Sequence, residues 1–171
     1  KAWDWSPETI ELHLQIRFLQ LEVATNLEQW NEGFRTVEDI YNIIQISKKM
    51  PKAKVMVAYY EKLTRIFWVS ENHLFHAYAW FRYYTLFCET KREIRAEERQ
   101  LIASNVLLAA LCIPKEEGGD DDASREKNQR LAMLLDFQAN PNRQALLADI
   151  QERGVINDVL PELSTLLTVL D

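Results

Sequence analysis

Apolar residues recur along most of the chain at spacings of three and four, which place them on one face of an α-helix. The clearest case is residues 28–46, where one stripe contains Trp30, Phe34, Val37, Tyr41 and Ile44. The same pattern predicts a second helix over residues 54–69. Gly33 lies inside the first helix. Because glycine in a helix costs about 1 kcal/mol relative to alanine, we expect a neighbouring helix to approach closely there.

Residues 72–88 are apolar or aromatic on every face and contain neither glycine nor proline. They predict a helix that begins after Asn72, whose side chain can accept from the first free backbone N–H groups. A helix that is apolar all round is buried by its neighbours. We therefore expect it to lie between the helix over residues 54–69 and a following helix that runs from about Arg95 to Cys112. It is too short and too polar to span a bilayer.

The first helix is less obvious from the pattern. Ser6 and Pro7 form a helix start, with serine as the N-cap and proline at the first helical position. Residues 10–18 alternate apolar and polar, as in a half-buried strand. The run continues to Thr25 without a turn signal and exceeds the usual strand length. A helix is therefore predicted.

Three shorter helices are predicted near the end of the chain. The first covers residues 126–137; the second starts with Asn140 as N-cap and Pro141 at its first position, and ends at Gly154. The last begins at residue 157 or 158, with Pro161 in its first turn. Residues 115–125 are rich in glycine and acidic residues and predict a flexible loop. This loop lacks the spacing of an EF-hand calcium site.

This pattern gives about eight helices in a single domain over residues 1–171, and helix pairs recur about every 40 residues, as in two-helix solenoid repeats. Only four glycines and five prolines occur, which disfavours an all-β fold with its many turns. The chain does not begin with methionine and stops within an apolar helical pattern, so we expect a fragment of a longer protein.

The net charge of −6 does not suggest a nucleic-acid-binding protein overall. One basic cluster consists of Lys48, Lys49, Lys52 and Lys54. It could contact RNA phosphates or an acidic partner; alternatively, these lysines form a solvated helix end. Trp3 and Trp5 are expected to pack on the body of the protein or on a partner, because such rings seldom remain in solvent. These six residues are the candidate partner contacts.

The residues do not form a recognisable catalytic or metal-binding pattern. Cys88 and Cys112 fall in apolar helical patterns and are predicted to be reduced core thiols of an intracellular protein. His73 and His76 lie three apart on one helix, too far from Cys88 to share a metal with it. We expect one histidine to be packed and the other exposed. No catalytic, metal or cofactor-binding residue is predicted, since nucleophile motifs and phosphate-binding glycine loops are both missing from the sequence.

Several segments, in this order, resemble the a subunits of eukaryotic translation initiation factor three. They are residues 30–40, 47–52, 59–60, 74–77, 106–109 with 113–114, and 130–132. Together they cover about residues 6–170. The resemblance implies the helical-repeat region that precedes and enters the PCI module of these proteins. The expected fold is an all-α, tetratricopeptide-like right-handed α-solenoid, with a winged helix following beyond Asp171.

The resemblance also implies a function: a non-enzymatic, cytoplasmic scaffold without cofactors or membrane attachment. Its expected partners are the c subunit, contacted through the PCI region, other subunits of the factor, and the small ribosomal subunit. One alternative is a scaffold subunit of another PCI complex, the proteasome lid or the signalosome. Two others are an RNA-contacting helical module that uses the lysine cluster, and an enzyme that uses His73 and His76.

Overall fold

The computed structural model describes residues 6–47, 50–91, 93–115, 122–137 and 141–170. Its α-helices are α1 (Pro7–Asn26), α2 (Trp30–Ser47), α3 (Ala53–Val69), α4 (His73–Thr90), α5 (Ala96–Leu111), α6 (Asp122–Leu134), α7 (Arg143–Glu152) and α8 (Pro161–Leu170). A short 3-10 helix, Val155–Asp158, lies between α7 and α8. None of the described residues is in a strand, and the all-α prediction is confirmed.

The first five helices form a stack of helical hairpins. Helix α1 packs along α2, and α3 packs along α4. The hairpins join where α3 contacts both α1 and α2, and α4 also packs along α5. Each helix thus buries its apolar side against its neighbours in sequence, which is the arrangement of an α-solenoid.

Helix α4 is the central layer of this stack, as predicted. Its buried residues are Leu74, Phe75, Ala77, Tyr78, Ala79, Phe81, Tyr84 and Phe87. They occur on both sides of the helix because α3 covers one side and α5 another. The side chain of Asn72 accepts from the backbone N–H of Phe75 at 3.2 Å, which confirms the predicted N-cap.

Helix α1 is a helix and not a strand. The Ser6 hydroxyl accepts from the backbone N–H of Thr9 at 3.3 Å, and Pro7 is the first helical residue. Gly33 of α2 faces the hairpin contact that follows. A Cβ placed on Gly33 would lie 3.5 Å from Ile66 Cδ1 of α3 and 3.9 Å from Thr25 Cγ2 of α1. A neighbouring helix does lie beside this glycine, but at distances that are ordinary van der Waals contact for a Cβ.

Helix α6 packs against helices that come much earlier in the chain. It contacts α2, where Arg130 forms an ion pair with Glu38. At its end, the Tyr59 hydroxyl of α3 donates to the Leu134 carbonyl at 3.3 Å. Four buried residues in and just after this helix join the core: Leu131, Ala132, Leu134 and Leu135.

The segment just after α6 continues this contact onto α4. Arg82 of α4 forms an ion pair with Asp136 at 2.6 Å. The ring of Phe137 packs edge-on against Tyr78, with 4.8 Å between centroids. The described residues around α6 therefore reach three of the helices in the stack.

Several predicted boundaries are wrong. Helix α6 spans Asp122–Leu134, so residues 122–125 are helical where a loop was predicted, and residues 135–137 follow the helix. Residues 116–121 lie outside the described residues. Helix α7 is capped by Asn142, whose side chain accepts from the Ala145 N–H at 2.8 Å, and Pro141 precedes the helix. Asn140 also lies outside the described residues.

The predicted start of the last helix is also wrong. Gly154 adopts a left-handed backbone conformation with φ of +68°, which ends α7 as predicted. A separate 3-10 turn then follows, and Val159 is extended. The Leu160 N–H donates to the buried hydroxyl of Ser104 at 3.1 Å, and α8 starts at the next residue, Pro161.

The prediction that both cysteines are core thiols is wrong for Cys112. Both thiols are free, but Cys88 is half-buried and Cys112 is exposed. Helix α5 ends at Leu111, and the chain turns so that Ile113 is the residue directed inward, with 3% of its surface exposed.

Candidate interaction surfaces

The structure describes two of the six candidate contact residues. Lys52 is the N-cap of α3, and Lys54 lies in its first turn; both are exposed. Lys48, Lys49, Trp3 and Trp5 lie outside the described residues. The basic cluster and the tryptophan contacts therefore remain predictions.

Lys54 borders a groove of about 660 Å³ between α1 and α3. Apolar side chains that line this groove include Phe18, Leu19, Val55 and Ala58. Charged side chains of both signs surround them: Glu22, Lys54, Glu61 and Lys62. The groove therefore offers apolar contact with no strong preference for the charge of a ligand.

The outer side of α1 carries four exposed apolar residues, which we call the α1 stripe. Their exposed fractions are 58% for Leu12, 53% for Ile16, 63% for Leu19 and 55% for Val23. Their steps of four, three and four place them on one face, the spacing that packs against another helix. Single exposed apolar residues are ordinary, whereas a contiguous set marks an interaction site.

The opposite side of α1 faces the stack, where Leu21 is 1% exposed. The residues of the α1 stripe are apolar in the sequence, but the sequence prediction did not identify them as an exposed surface. Because α1 is apolar on two sides, the pattern alone does not tell which side faces the core.

A second surface is formed by aromatic rings on α3 and α4, which we call the aromatic row. From Trp68 the row passes to His76, Trp80, Tyr83 and Phe87, with successive centroid distances of 5.1, 6.5, 5.7 and 5.8 Å. Trp68 is 56% exposed, and Trp80 and Tyr83 are half-buried. Burial raises the pKa of Tyr83, and the carboxylates of Glu61 on α3 and Glu98 on α5 raise it further.

The two histidines of α4 pack against Trp68 at one end of this row. His76 Nδ1 lies 2.7 Å from the Thr64 carbonyl oxygen and donates to it. Burial lowers the pKa of His76, so its neutral form is favoured. His73 is also half-buried, and the expectation that one histidine is exposed is wrong, because the exposed Trp68 ring covers both. Within the described ranges, no three His, Cys, Asp or Glu side chains are grouped to hold a metal.

A polar cluster fixes the connection that leads to α8. The Tyr84 hydroxyl donates to the Asp158 carboxylate at 2.5 Å, and Arg99 of α5 lies 3.7 Å from the same carboxylate. Together with the bond from Leu160 to Ser104, these contacts hold the 3-10 turn against α4 and α5. In the described part of the chain, no helix is both long and apolar enough to cross a bilayer.

The stacked hairpins and the exposed surfaces on them define a class of protein, the α-solenoid of tetratricopeptide-like helix pairs. A family model described as "eIF3a, PCI domain, TPR-like region" matches residues 5–171. The chain belongs to this family, the helical-repeat region of the a subunits of eukaryotic translation initiation factor 3.

Individual relatives agree with the family match. The chain is 40% identical to the a subunit of eukaryotic translation initiation factor 3 from Arabidopsis thaliana, over 97% of this chain and 18% of the relative. The corresponding protein of Nicotiana tabacum is 39% identical over 97% of this chain and 19% of the relative. That of Nematostella vectensis is 38% identical over 97% and 18%. The chain thus spans less than a fifth of the length of these relatives.

Proposed function

We propose that this chain is a non-enzymatic scaffold segment of a cytoplasmic translation initiation factor. It holds other subunits of the factor, including the c subunit through the PCI region, and contributes to contact with the small ribosomal subunit. The family match supports this proposal, because the relatives are named as one subunit of a larger factor. The family also favours the initiation factor over the proteasome lid and the signalosome.

The observation that carries the proposal is the α1 stripe. Apolar surface exposed to water is unfavourable by about 25 cal/mol for each Å². Four such side chains on one face, at helix-packing spacing, suit the apolar face of a partner helix. A stack of helical hairpins also presents long continuous surfaces to partners, as solenoid scaffolds do.

The test uses a matched pair of variants. Leu12→Asp with Leu19→Asp places two carboxylates in the α1 stripe. Leu101→Asp with Leu108→Asp is the control, because it adds the same charge at two exposed leucines of α5, which are 62% and 41% exposed. Each protein is mixed with purified initiation factor 3 subunits, and binding is measured by interferometry after circular dichroism has confirmed equal helix content.

We expect the α1 variant to bind its partner in the factor at least tenfold more weakly, and the control to bind like the wild type. Equal binding by all three proteins would place the contact elsewhere. The ribosomal part of the proposal is tested separately, by sedimentation of the chain with small ribosomal subunits. If the chain does not co-sediment, the proposed contact with the small ribosomal subunit is rejected, and the proposed contact with other subunits is unaffected.

A second candidate function, direct RNA contact, is favoured by the exposure of Lys52 and Lys54 at the start of α3. Lysines that neutralise phosphates release counterions, so the affinity must fall steeply with salt. The variant Lys52→Glu with Lys54→Glu is expected to weaken binding to an oligo-uridine probe at least tenfold in about 50 mM salt. A shallow salt dependence, or no effect of this variant, rules the function out.

A further inference from the structure

The aromatic row lies where helix α4 is flanked by α3 and α5. Trp80 and Tyr83 of α4 are half-buried and pack edge-on against each other, and Trp68 of α3 extends the row at one end. Glu61 on α3 and Glu98 on α5 both act on the phenol of Tyr83. Two carboxylates, one on each flanking helix, therefore act on the same phenol.

Three rings of this row, those of Trp68, Trp80 and Tyr83, are partly exposed. Phe87, the last ring of the row, is buried and has Lys91 over it, and other cationic side chains lie over rings outside the row: Trp30, Tyr60, Phe81 and Phe137. Across the described residues, no lysine or arginine lies over Trp68, Trp80 or Tyr83. These three rings can therefore accept a cation from another molecule.

Among the described residues, each of the two carboxylates forms an ion pair with one lysine. Glu61 is paired with its sequence neighbour Lys62 at 3.7 Å, and Glu98 with Lys91 at 2.9 Å. The side chains of Glu61 and Glu98 are 44% and 30% exposed. Lys62 is 18% and Lys91 is 45% exposed, so both pairs are partly open to solvent. Solvent-exposed ion pairs contribute little, so an incoming cation can compete for the open side of each carboxylate.

From these observations we propose that the aromatic row, with Glu61 and Glu98, binds a short arginine-bearing peptide segment of a protein partner. A guanidinium is planar, so it stacks on aromatic faces and pairs with carboxylates through two parallel N–H groups. A lysine ammonium is a point charge that lacks this flat, two-pronged geometry. The carboxylates would repel the phosphates of RNA, which makes a basic peptide the better match.

The length of the row limits the segment. The ring of Phe87 is buried under Lys91, so the accessible part of the row on α4 ends at Tyr83. His76 and Tyr83 are seven residues apart on one helix, which corresponds to about 10 Å. An extended chain covers that distance in about three residues, and two arginines in such a segment can each lie over a ring. This surface is separate from the α1 stripe, and the inference does not depend on the proposed contact with other subunits.

The test uses defined peptides in place of an unknown partner. The probe is a seven-residue peptide of alternating glycine and arginine, and a matched peptide carries lysine in place of arginine. Titration is followed by the indole N–H signals of the tryptophans in a two-dimensional NMR spectrum. We expect the Trp68 and Trp80 signals to shift, while the Trp30 signal, whose ring is covered by Arg65, stays in place. The lysine peptide is expected to bind at least threefold more weakly.

Two variants and one control decide whether the contact is specific. Trp80→Leu with Tyr83→Leu removes two rings, and Glu61→Gln with Glu98→Gln removes the two carboxylates at nearly constant volume. The control, Glu11→Gln with Glu22→Gln, removes two exposed carboxylates from α1 and the same net charge. We expect at least a tenfold loss for the ring variant, a fivefold loss for the carboxylate variant and no loss for the control.

Three outcomes would overturn the inference. If the α1 control weakens binding as much as Glu61→Gln with Glu98→Gln, the attraction is only the net charge of the chain. If an oligo-uridine probe shifts the same indole signals more strongly than the arginine peptide, the row is an RNA surface. If the indoles do not shift with any probe, the row does not bind this chemistry. The carboxylate variant keeps the test valid should the ring variant fail to fold.

Discussion

Tyr78 joins two parts of the chain that are 64 residues apart. Its hydroxyl donates to the Asn142 carbonyl at 3.2 Å and accepts from the Asn142 N–H at 3.3 Å. Its side chain is buried, with 3% of the residue exposed, and burial raises its pKa to about 12. One phenol of α4 thus fixes the residue that caps α7.

The raised pKa of Tyr78 predicts a loss of stability at alkaline pH. An unfolded tyrosine loses its proton near pH 10, whereas the folded one keeps it to about pH 12. The stabilisation is complete below pH 10 and disappears as the pH rises through 12. At pH 11, Tyr78→Phe should therefore recover about 1 kcal/mol of the alkaline loss seen in the wild type.

The measurement is guanidinium unfolding of both proteins at pH 7 and pH 11. The difference in the free energy of unfolding between the two proteins at pH 7 gives the cost of the hydrogen bonds lost in the variant. The ionisation of Tyr78 is measured by how much that difference changes between pH 7 and pH 11. An equal alkaline loss in both proteins would contradict the assignment of this effect to Tyr78.

Gly33 gives a second prediction at this scale. An alanine Cβ would lie 3.5 Å from Ile66 Cδ1, which is ordinary van der Waals contact. Gly33→Ala should therefore stabilise the fold by about 0.5–1 kcal/mol, the difference in helix propensity. Gly33→Leu should destabilise it, because the longer side chain would overlap Ile66. Thermal melting of both variants checks the pair, and a destabilised alanine variant would show that the contact has no room for a methyl group.

Residue-level features were predictable where local chemistry alone decides them. The caps at Ser6 and Asn72 and the left-handed Gly154 follow from short-range rules. The cap of α7 did not follow, because Asn140, Pro141 and Asn142 offer two starts within three residues. The choice of Asn142 coincides with its bonds to Tyr78, a contact that local sequence rules do not contain.

At the scale of the element, α1 shows two apolar sides with different roles. Leu19 and Leu21 are two residues apart, yet they are 63% and 1% exposed. Leu21→Ala should destabilise the chain by about 2–5 kcal/mol, as for other buried leucines. Leu19→Ala should change the free energy of unfolding by less than about 0.5 kcal/mol.

Chemical denaturation of the two α1 variants measures this contrast directly. A large destabilisation by Leu19→Ala would mean that the α1 stripe is already covered within this chain. The existence and ends of α1 were predictable from the sequence. The side of α1 that faces the core was not predictable. Both sides are apolar, so the choice depends on how α2 and α3 pack against the helix.

At the scale of the whole molecule, the position of α6 is the feature that sequence patterns could not supply. A helix was predicted there, but the partners of α6 and the residues just after it are Glu38, Tyr59 and Arg82, between 54 and 92 positions away in the chain. No periodic pattern in α6 identifies such distant neighbours. The stacking of α1 to α5 was predictable because neighbours in sequence are neighbours in space.

Phe137→Ala tests how α6 is held. Phe137 packs against Tyr78 and lies under the Arg82 guanidinium, 5.9 Å from its ring centroid. Its removal should raise hydrogen exchange of residues 125–137 at least tenfold and leave α3 and α4 unchanged. Met133→Ala is the control, because Met133 is 44% exposed. Unchanged exchange in Phe137→Ala would show that the other contacts of α6 hold the helix without this ring.

The placement of α6 also changes how the stack should unfold. In an array where each hairpin touches only the next, the end hairpins can melt first and independently of the rest. Helix α6 and the residues just after it instead connect α2, α3 and α4 directly, so loss of any one of them breaks contacts to the others. The array should therefore melt in one cooperative transition, with the calorimetric and van't Hoff enthalpies equal.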